Sequence, residues 1–320
     1  MARSGIEKSA QRGSSSVSPG AWSLPMVAGF GYALGVVVIR RSLMQGISGA
    51  SVNLACNAVM ALLFQLFWFV PSHSFPWREA MWPLLCGAIF FLGQTLTFRA
   101  IAAGDVSVST PLMGTKVLFV ALFTVLIART PLPGSWWWAC LMASSGIALI
   151  SYDRHGPHHG IREAILWSLA AAAVFAMTDL FVQLGVPKVG YPRFAPIMFG
   201  TMGVLSLSYL PAVLRTTTFN AHPGASSSGK RIDPWLMAGA VVLAFQSLAM
   251  YSAIGLYGSA TLTNILYGSR CLWSVLLAWL LAVLHHRQGG VFQHRVMGRR
   301  LIGAILLVSA MALVLASSRR

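Results

Sequence analysis

Ten apolar runs, at 24–39, 51–70, 82–102, 106–128, 135–151, 164–186, 194–214, 235–256, 260–284 and 301–316, leave little of this chain for anything else. Roughly 20 apolar residues in a helix cross the ~30 Å hydrocarbon core of a bilayer. Lipid offers the backbone no hydrogen-bond partners, so each run is expected to be helical. Composition agrees: 56% of residues are hydrophobic and 9% are charged, with a mean hydropathy of +0.70, against about 25% charged in ordinary soluble domains. The expected fold class is an all-α polytopic membrane protein with ten transmembrane helices, and a soluble catalytic domain has no room.

A formal net charge of +16 would suggest nucleic acid for a soluble protein. Here, apart from Arg99, Lys116 and Arg270, every Lys and Arg falls in a tail, a connection or a helix end. Such residues anchor helices at the interface and contact anionic lipids, so membrane lipids are expected partners and nucleic acid is not. Trp77, Trp82, Trp136, Trp137, Trp138, Trp167 and Trp235 sit near span ends, where aromatic belts form. Cys56, Cys86, Cys140 and Cys271 all lie inside spans as small hydrophobes. No metal-ligand spacing is present, and no metal or cofactor is expected. All eight histidines, including His155, His158 and His159, fall in connections. The first run ends in Arg40-Arg41 and carries no small-residue cleavage site, so it is expected to be a retained helix. An even number of spans puts both termini on one side, whereas Lys and Arg are shared almost equally between the two sides and do not orient the protein.

The chain also repeats itself. Trp22-Ser-Leu opens the first run and Trp167-Ser-Leu the sixth; farther along, Ala100-Ile101 matches Ala253-Ile254, and Gly104 through Lys116 matches Gly258 through Arg270. The implied organisation is a polar tail over 1–22, a five-helix repeat over 23–152, a second over 153–316 and a short basic tail over 317–320. Five is odd, so the second copy enters from the opposite side and the repeats are inverted. Transporters built this way hold their substrate near the midplane between the halves.

Two cations occupy matching places in these halves: Lys116 in Met113-Gly-Thr-Lys and Arg270 in Tyr267-Gly-Ser-Arg. Each is the eleventh residue of its run, which at 1.5 Å per residue is about 15 Å from one end. A charge there costs roughly 3 kcal/mol on the mildest scale and marks a functional site by default. Arginine grips carboxylate or phosphate through a planar fork, while lysine supplies a compact charge. Thr263, Tyr267, Arg270 and Ser274 share one helical face. Gln94 and Gln246 fall in nearly matching places and either bond a substrate or join helices. Asp179 is the one acid well inside a span, with Gln183 one turn on; it either couples transport to a proton or pairs with a cation. Pro111 interrupts the fourth run. No paired carboxylates or hydrolase and nucleotide-binding motifs occur, so an enzyme is not expected.

The segment Phe98-Arg-Ala-Ile-Ala-Ala-Gly-Asp, the apolar run ending in Arg129-Thr130 and the helix carrying Gly146 resemble a drug/metabolite transporter repeat of the EamA type. Tyr251-Ser-Ala-Ile, Gly258, His286-Arg287 and the helix carrying Gly303 repeat the pattern. The resemblance implies two inverted five-helix repeats, cytoplasmic termini in a cell membrane, a central cavity and alternating access. Organophosphate translocators of the same superfamily are similar in carrying basic residues in their fourth and ninth helices, where Lys116 and Arg270 stand. The expectation is a secondary transporter of a small organic anion or zwitterion, coupled to a counter-substrate or a proton. Export of apolar or cationic compounds with both cations structural, and a non-transporting scaffold or lipid-modifying protein, remain as alternatives.

Overall fold

Backbone self-sufficiency in lipid makes helix the rule here, and the computed structural model is helical, with no strand among the described residues, 19–72, 77–103, 112–151, 161–219, 233–284 and 294–318. Gly104, Asp105, Pro111, the histidines at 155, 158 and 159, and His286-Arg287 lie outside them. In chain order the helices are α1 (Pro19–Met44), α2 (Gly49–Gln65), α3 (Met81–Ala103), α4 (Lys116–Leu126), α5 (Gly134–Ser151), α6 (Ile161–Val189), α7 (Tyr191–Ser206), α8 (Leu210–Phe219), α9 (Pro234–Tyr257), α10 (Ala260–Tyr267), α11 (Arg270–Leu284) and α12 (His294–Ser317). The protein is thus all-α and multi-spanning: among the described residues, seven helical stretches are long and apolar enough to cross a membrane. α1 begins at Pro19, a few residues inside the stretch assigned to the polar tail.

Local chemistry sets the helix ends. Ser48 accepts a hydrogen bond from the Ser51 amide at 3.2 Å, and Asp233 from the Trp235 amide at 3.1 Å with Pro234 in the first turn, both N-caps that satisfy otherwise orphaned donors. Three connections turn on glycines of positive φ. Gly46 (φ 89°) follows α1, Gly190 (φ 81°) alone separates α6 from α7, and Gly258 (φ 65°) ends α9; a Cβ is disfavoured in that region.

Small residues let the helices approach closely, as membrane packing requires in the absence of a hydrophobic drive between them. α1 packs along α9, α3 along α6 and α5 along α12; α2 lies on α7, α3 on α7, α2 on α9, α4 on α6, and α10 and α11 on α1. A Cβ on Gly146 of α5 would lie 2.7 Å from the Gly303 carbonyl, and one on Gly303 of α12 would lie 2.8 Å from the Gly146 carbonyl.

Beside a small cluster of Ile39, Cys56 and Ala240 where α1, α2 and α9 meet, two large apolar cores result. One joins α2, α3, α6, α7 and α9 around Phe64, Phe90, Phe199 and Tyr251, and the other joins α5 and α12 around Ile147 and Leu307. α4 and α10 feed both, with Val120 and Tyr267 in the first, Val117 and Leu266 in the second. The site lies along that seam.

Candidate functional site

The sequence predicts a continuous helix for the ninth apolar run and, for the fourth, an interruption at Pro111, which lies outside the described residues. Both runs break immediately before their cations. In the fourth, Leu112 and Met113 are helical, Gly114 and Thr115 form a turn, and α4 starts at Lys116. In the ninth, α10 ends at Tyr267, Gly268 and Ser269 form a turn, and α11 starts at Arg270. At both breaks the ladder tightens to three-residue spacing: Thr115 N–H reaches Leu112 O at 3.0 Å and Leu118 N–H reaches Thr115 O at 2.9 Å. Across the second, Ser269 N–H reaches Leu266 O and Cys271 N–H reaches Gly268 O, each at 3.1 Å. Mid-helix tightening of this kind marks hinges or strain. α4 has 11 residues, about 16 Å of helix and so about half of a bilayer core.

Neighbours hold each break in place. The Ser144 hydroxyl of α5 donates to the Gly114 carbonyl at 3.1 Å, satisfying an acceptor the turn exposes. A Cβ on Gly268 would lie 2.9 Å from Ile265 O and 3.0 Å from Leu307 of α12, so only glycine fits. Gly29 of α1 sits on the second break from the other side, where a Cβ would lie 2.6 Å from Ser269 Oγ and 3.0 Å from the Arg270 amide.

The two cations end in unlike surroundings. Lys116 Nζ is 2.7 Å from Asp179 Oδ2 of α6, the one ion pair found among the described residues. Asn264 of α10 donates to the same oxygen at 2.6 Å, while Asp179 Oδ1 is buried without a partner. One turn along α6, Gln183 Oε1 accepts from the Ala260 amide at 2.8 Å, capping the start of α10. Asp179 and Gln183 therefore bolt α10 to α6 through two bonds that run in opposite senses along the two helices. Arg270 has no carboxylate within ion-pair distance among the described residues. Its guanidinium carbon lies 4.7 Å from the Tyr267 ring centroid and 5.1 Å from that of Tyr32 in α1, a cation–π setting that stabilises the charge without neutralising it.

Both breaks open on one crevice. Met113, Gly114, Lys116 and Val117 line it from the first half, and Asn264, Tyr267, Gly268 and Arg270 from the second, with Ile147 of α5 closing one wall. Its free volume is ≈ 10 Å³, about the room of one water molecule and far below the roughly 300–1,000 Å³ of typical small-ligand pockets. The charges around it sum to one positive: the Lys116–Asp179 pair contributes zero wherever its proton resides, and Arg270 contributes the remainder. Each cation is also the first residue of its half-helix, whose first-turn amides bond back across the turn, Val117 and Leu118 at the first break and Cys271 and Trp273 at the second.

Of the residues singled out in the sequence, Lys116, Arg270, Tyr267, Asp179 and Gln183 gather around α10. Thr263 is buried within α10. Ser274 is exposed and donates to the Arg270 carbonyl at 2.8 Å. Gln94 exchanges two hydrogen bonds, of 2.8 and 2.9 Å, with Asn57 of α2, which also donates to Ser206 of α7 at 2.7 Å; it joins helices away from the crevice. Gln246 is half-buried with its Cβ beside Gly31 of α1. Asn264 and Tyr32 went unremarked in the sequence. Asn264 was legible as a second buried polar residue beside Thr263, whereas Tyr32 carries no local signal.

Fold and site together define a polytopic helical membrane protein with a cationic crevice between two broken helices. No protein-family model and no curated protein matches the sequence. Among solved structures, one described only as the crystal structure of a protein aligns with a TM-score of 0.60 at 14% identity, covering 94% of this chain and 98% of that chain. At that identity the likeness shows the fold alone, and it extends over nearly the whole of both chains.

Proposed function

We propose that this protein is a secondary transporter of a small organic anion or zwitterion, built as ten spans in two inverted five-helix repeats of the EamA-like drug/metabolite type. The observation that carries the reading is the pair of corresponding helix breaks, each followed at once by a cation and both lining one crevice. Broken helices at matching places in two halves are the construction that puts transporter sites at the midplane.

Support for the repeats comes from packing that is its own mirror under exchange of halves. α1 on α9 corresponds to α6 on α3, α2 on α9 to α7 on α3, and α4 on α6 to α10 and α11 on α1. The left-handed turns at Gly46 and Gly190 fall at nearly the same offset as Trp22 and Trp167. A crevice with a free volume of ≈ 10 Å³ holds about one water molecule, so the helices around it must part to admit a substrate, as alternating access requires. Arg270 is the anchor for a carboxylate or phosphate oxygen, and Tyr32 and Tyr267 flank it. A cell-membrane location with both termini in the cytoplasm belongs to the same proposal.

The Lys116–Asp179 bond favours one competing reading, export of apolar or cationic compounds with the cations purely structural. Flux of labelled organic anions into proteoliposomes separates the two. Arg270→Ala should reduce anion flux by about 100-fold, the scale of losing a charged hydrogen-bonded anchor of roughly 3 kcal/mol. Full anion transport by both Arg270→Ala and Lys116→Ala would overturn the proposal.

A further inference from the structure

We infer that Asp179 sets the charge selectivity of the crevice: the site takes substrates carrying a single negative charge and rejects dianions. The inference rests on the transport reading above and narrows it from organic anions in general to monocarboxylates, phosphodiesters and similar monoanions. Phosphate monoesters, doubly charged near neutral pH, and dicarboxylates fall outside.

The argument is one of charge accounting. A sequence with Lys116 and Arg270 at matching intramembrane places suggests a doubly cationic site suited to a dianion. The structure places Asp179 Oδ2 at 2.7 Å from Lys116 Nζ and fixes it there with the Asn264 amide at 2.6 Å. Asp179 is 0% exposed, so the carboxylate is fixed behind the Lys116 and Asn264 side chains that line the crevice and is not a mobile counter-ion. The pair is neutral as a unit whether the proton lies on nitrogen or oxygen, and no shift of that proton frees Lys116 for a ligand charge.

What remains is Arg270, held between Tyr32 and Tyr267 with no carboxylate near it among the described residues. One negative group there leaves the loaded site neutral, the condition least costly to carry across lipid. A second negative group would meet either Met113, Val117 and Ile147, which offer neither a charge nor a donor, or Lys116, whose charge Asp179 already compensates, and would have to be desolvated without a free counter-charge. Asp179 thus works through Lys116, as a built-in anion that occupies the second cationic position permanently. It also lets the empty carrier reorient with one uncompensated charge in place of two, so net uptake or export becomes accessible alongside exchange.

The test compares matched pairs of probes on purified full-length protein: butyrate against succinate, and dimethyl phosphate against methyl phosphate. Thermal stabilisation gives the half-saturating concentrations, and proteoliposome flux follows them. In the wild type, butyrate and dimethyl phosphate should half-saturate at concentrations at least tenfold lower than their dianionic counterparts. Asp179→Asn should reverse that ratio, because the crevice then carries two uncompensated cations. Lys116→Gln combined with Asp179→Asn removes the pair as a unit and should return the ratio to the monoanion side. Asp179→Ser, which also leaves Lys116 charged, should reverse the ratio likewise and decides the matter if Asp179→Asn fails to fold. A wild-type preference for dianions, an unchanged ratio in folded Asp179→Asn, or a reversed ratio in the double variant would each overturn the inference while leaving anion transport standing. Absence of any response to all four probes would instead refute the transport reading beneath it.

Discussion

Adding one methyl group to Gly146 should loosen the α5–α12 contact by an amount the geometry sets. The new Cβ would stand 2.7 Å from the Gly303 carbonyl, 3.1 Å from the Leu307 amide nitrogen and 3.3 Å from Leu307 Cβ, where ordinary contact begins at 3.4 Å. The nearest of these is backbone and has no rotamer to yield, so the helices must separate by about 0.7 Å at the crossing. A gap of 0.5–1 Å forfeits about a quarter to a half of each dispersion well it opens. Ile147 and Ile150 on α5 face Leu307, Met311 and Val314 on α12, and between lipid-embedded helices dispersion is much of what holds them. Partial relaxation keeps the cost in the usual range for overpacking, about 1–3 kcal/mol. Gly303→Ala should cost a similar amount, since its Cβ would lie 2.8 Å from the Gly146 carbonyl. Once one methyl has parted the helices the second occupies the same gap, so the double variant should cost less than the two singles together, by roughly 0.5 kcal/mol or more. Gly298→Ala, with nothing within 4 Å of its Cβ, is the control. Reversible unfolding in mixed detergent micelles gives the free energies. Both single variants lying within about 0.3 kcal/mol of wild type, inside the error of additivity, would refute the close-contact argument.

Removing one partner of the buried ion pair should be far worse than removing both. Lys116→Met leaves Asp179 uncompensated and should destabilise by about 3–5 kcal/mol, while Lys116→Met with Asp179→Asn should recover most of that; equal losses in the two, measured by the same unfolding titration, would show that the pair is not a unit. Asn57→Leu breaks the bonds to Gln94 and Ser206 and should cost about 1–2 kcal/mol, near 0.6 kcal/mol per interhelical bond. Because this cluster stands apart from the crevice, the half-saturating concentration for anion flux should change less than twofold, and a larger change would tie Gln94 to the substrate after all.

Several features were legible before any coordinates. All-helical, multi-spanning character followed from the apolar runs, because a backbone in lipid has so few ways to satisfy its own hydrogen bonds. The matching placement of Lys116 and Arg270 followed from internal similarity, and so did the glycines ahead of them, although sequence marks neither Gly114-Thr115 nor Gly268-Ser269 as a break. A glycine within an apolar run is compatible with either outcome; the break is decided by Ser144 reaching Gly114 from α5, and by Leu307 and Gly29 pressing on the Gly268 turn. Those contacts come from parts of the chain far away in sequence.

The inequality of the two cations was not legible in the form it takes. The polar face of Thr263, Tyr267 and Ser274 already favours Arg270 over Lys116 as the anchor, but one carboxylate, Asp179, stands available to either. Periodicity along a single helix cannot say which of two distant cations will come within hydrogen-bond distance of a carboxylate on a third helix. The packing of α4 and α10 on α6 decides it, giving Asp179 to Lys116 and leaving Arg270 between two tyrosines. Charge count and depth in the membrane are properties of the chain; which charge is left over is a property of the fold.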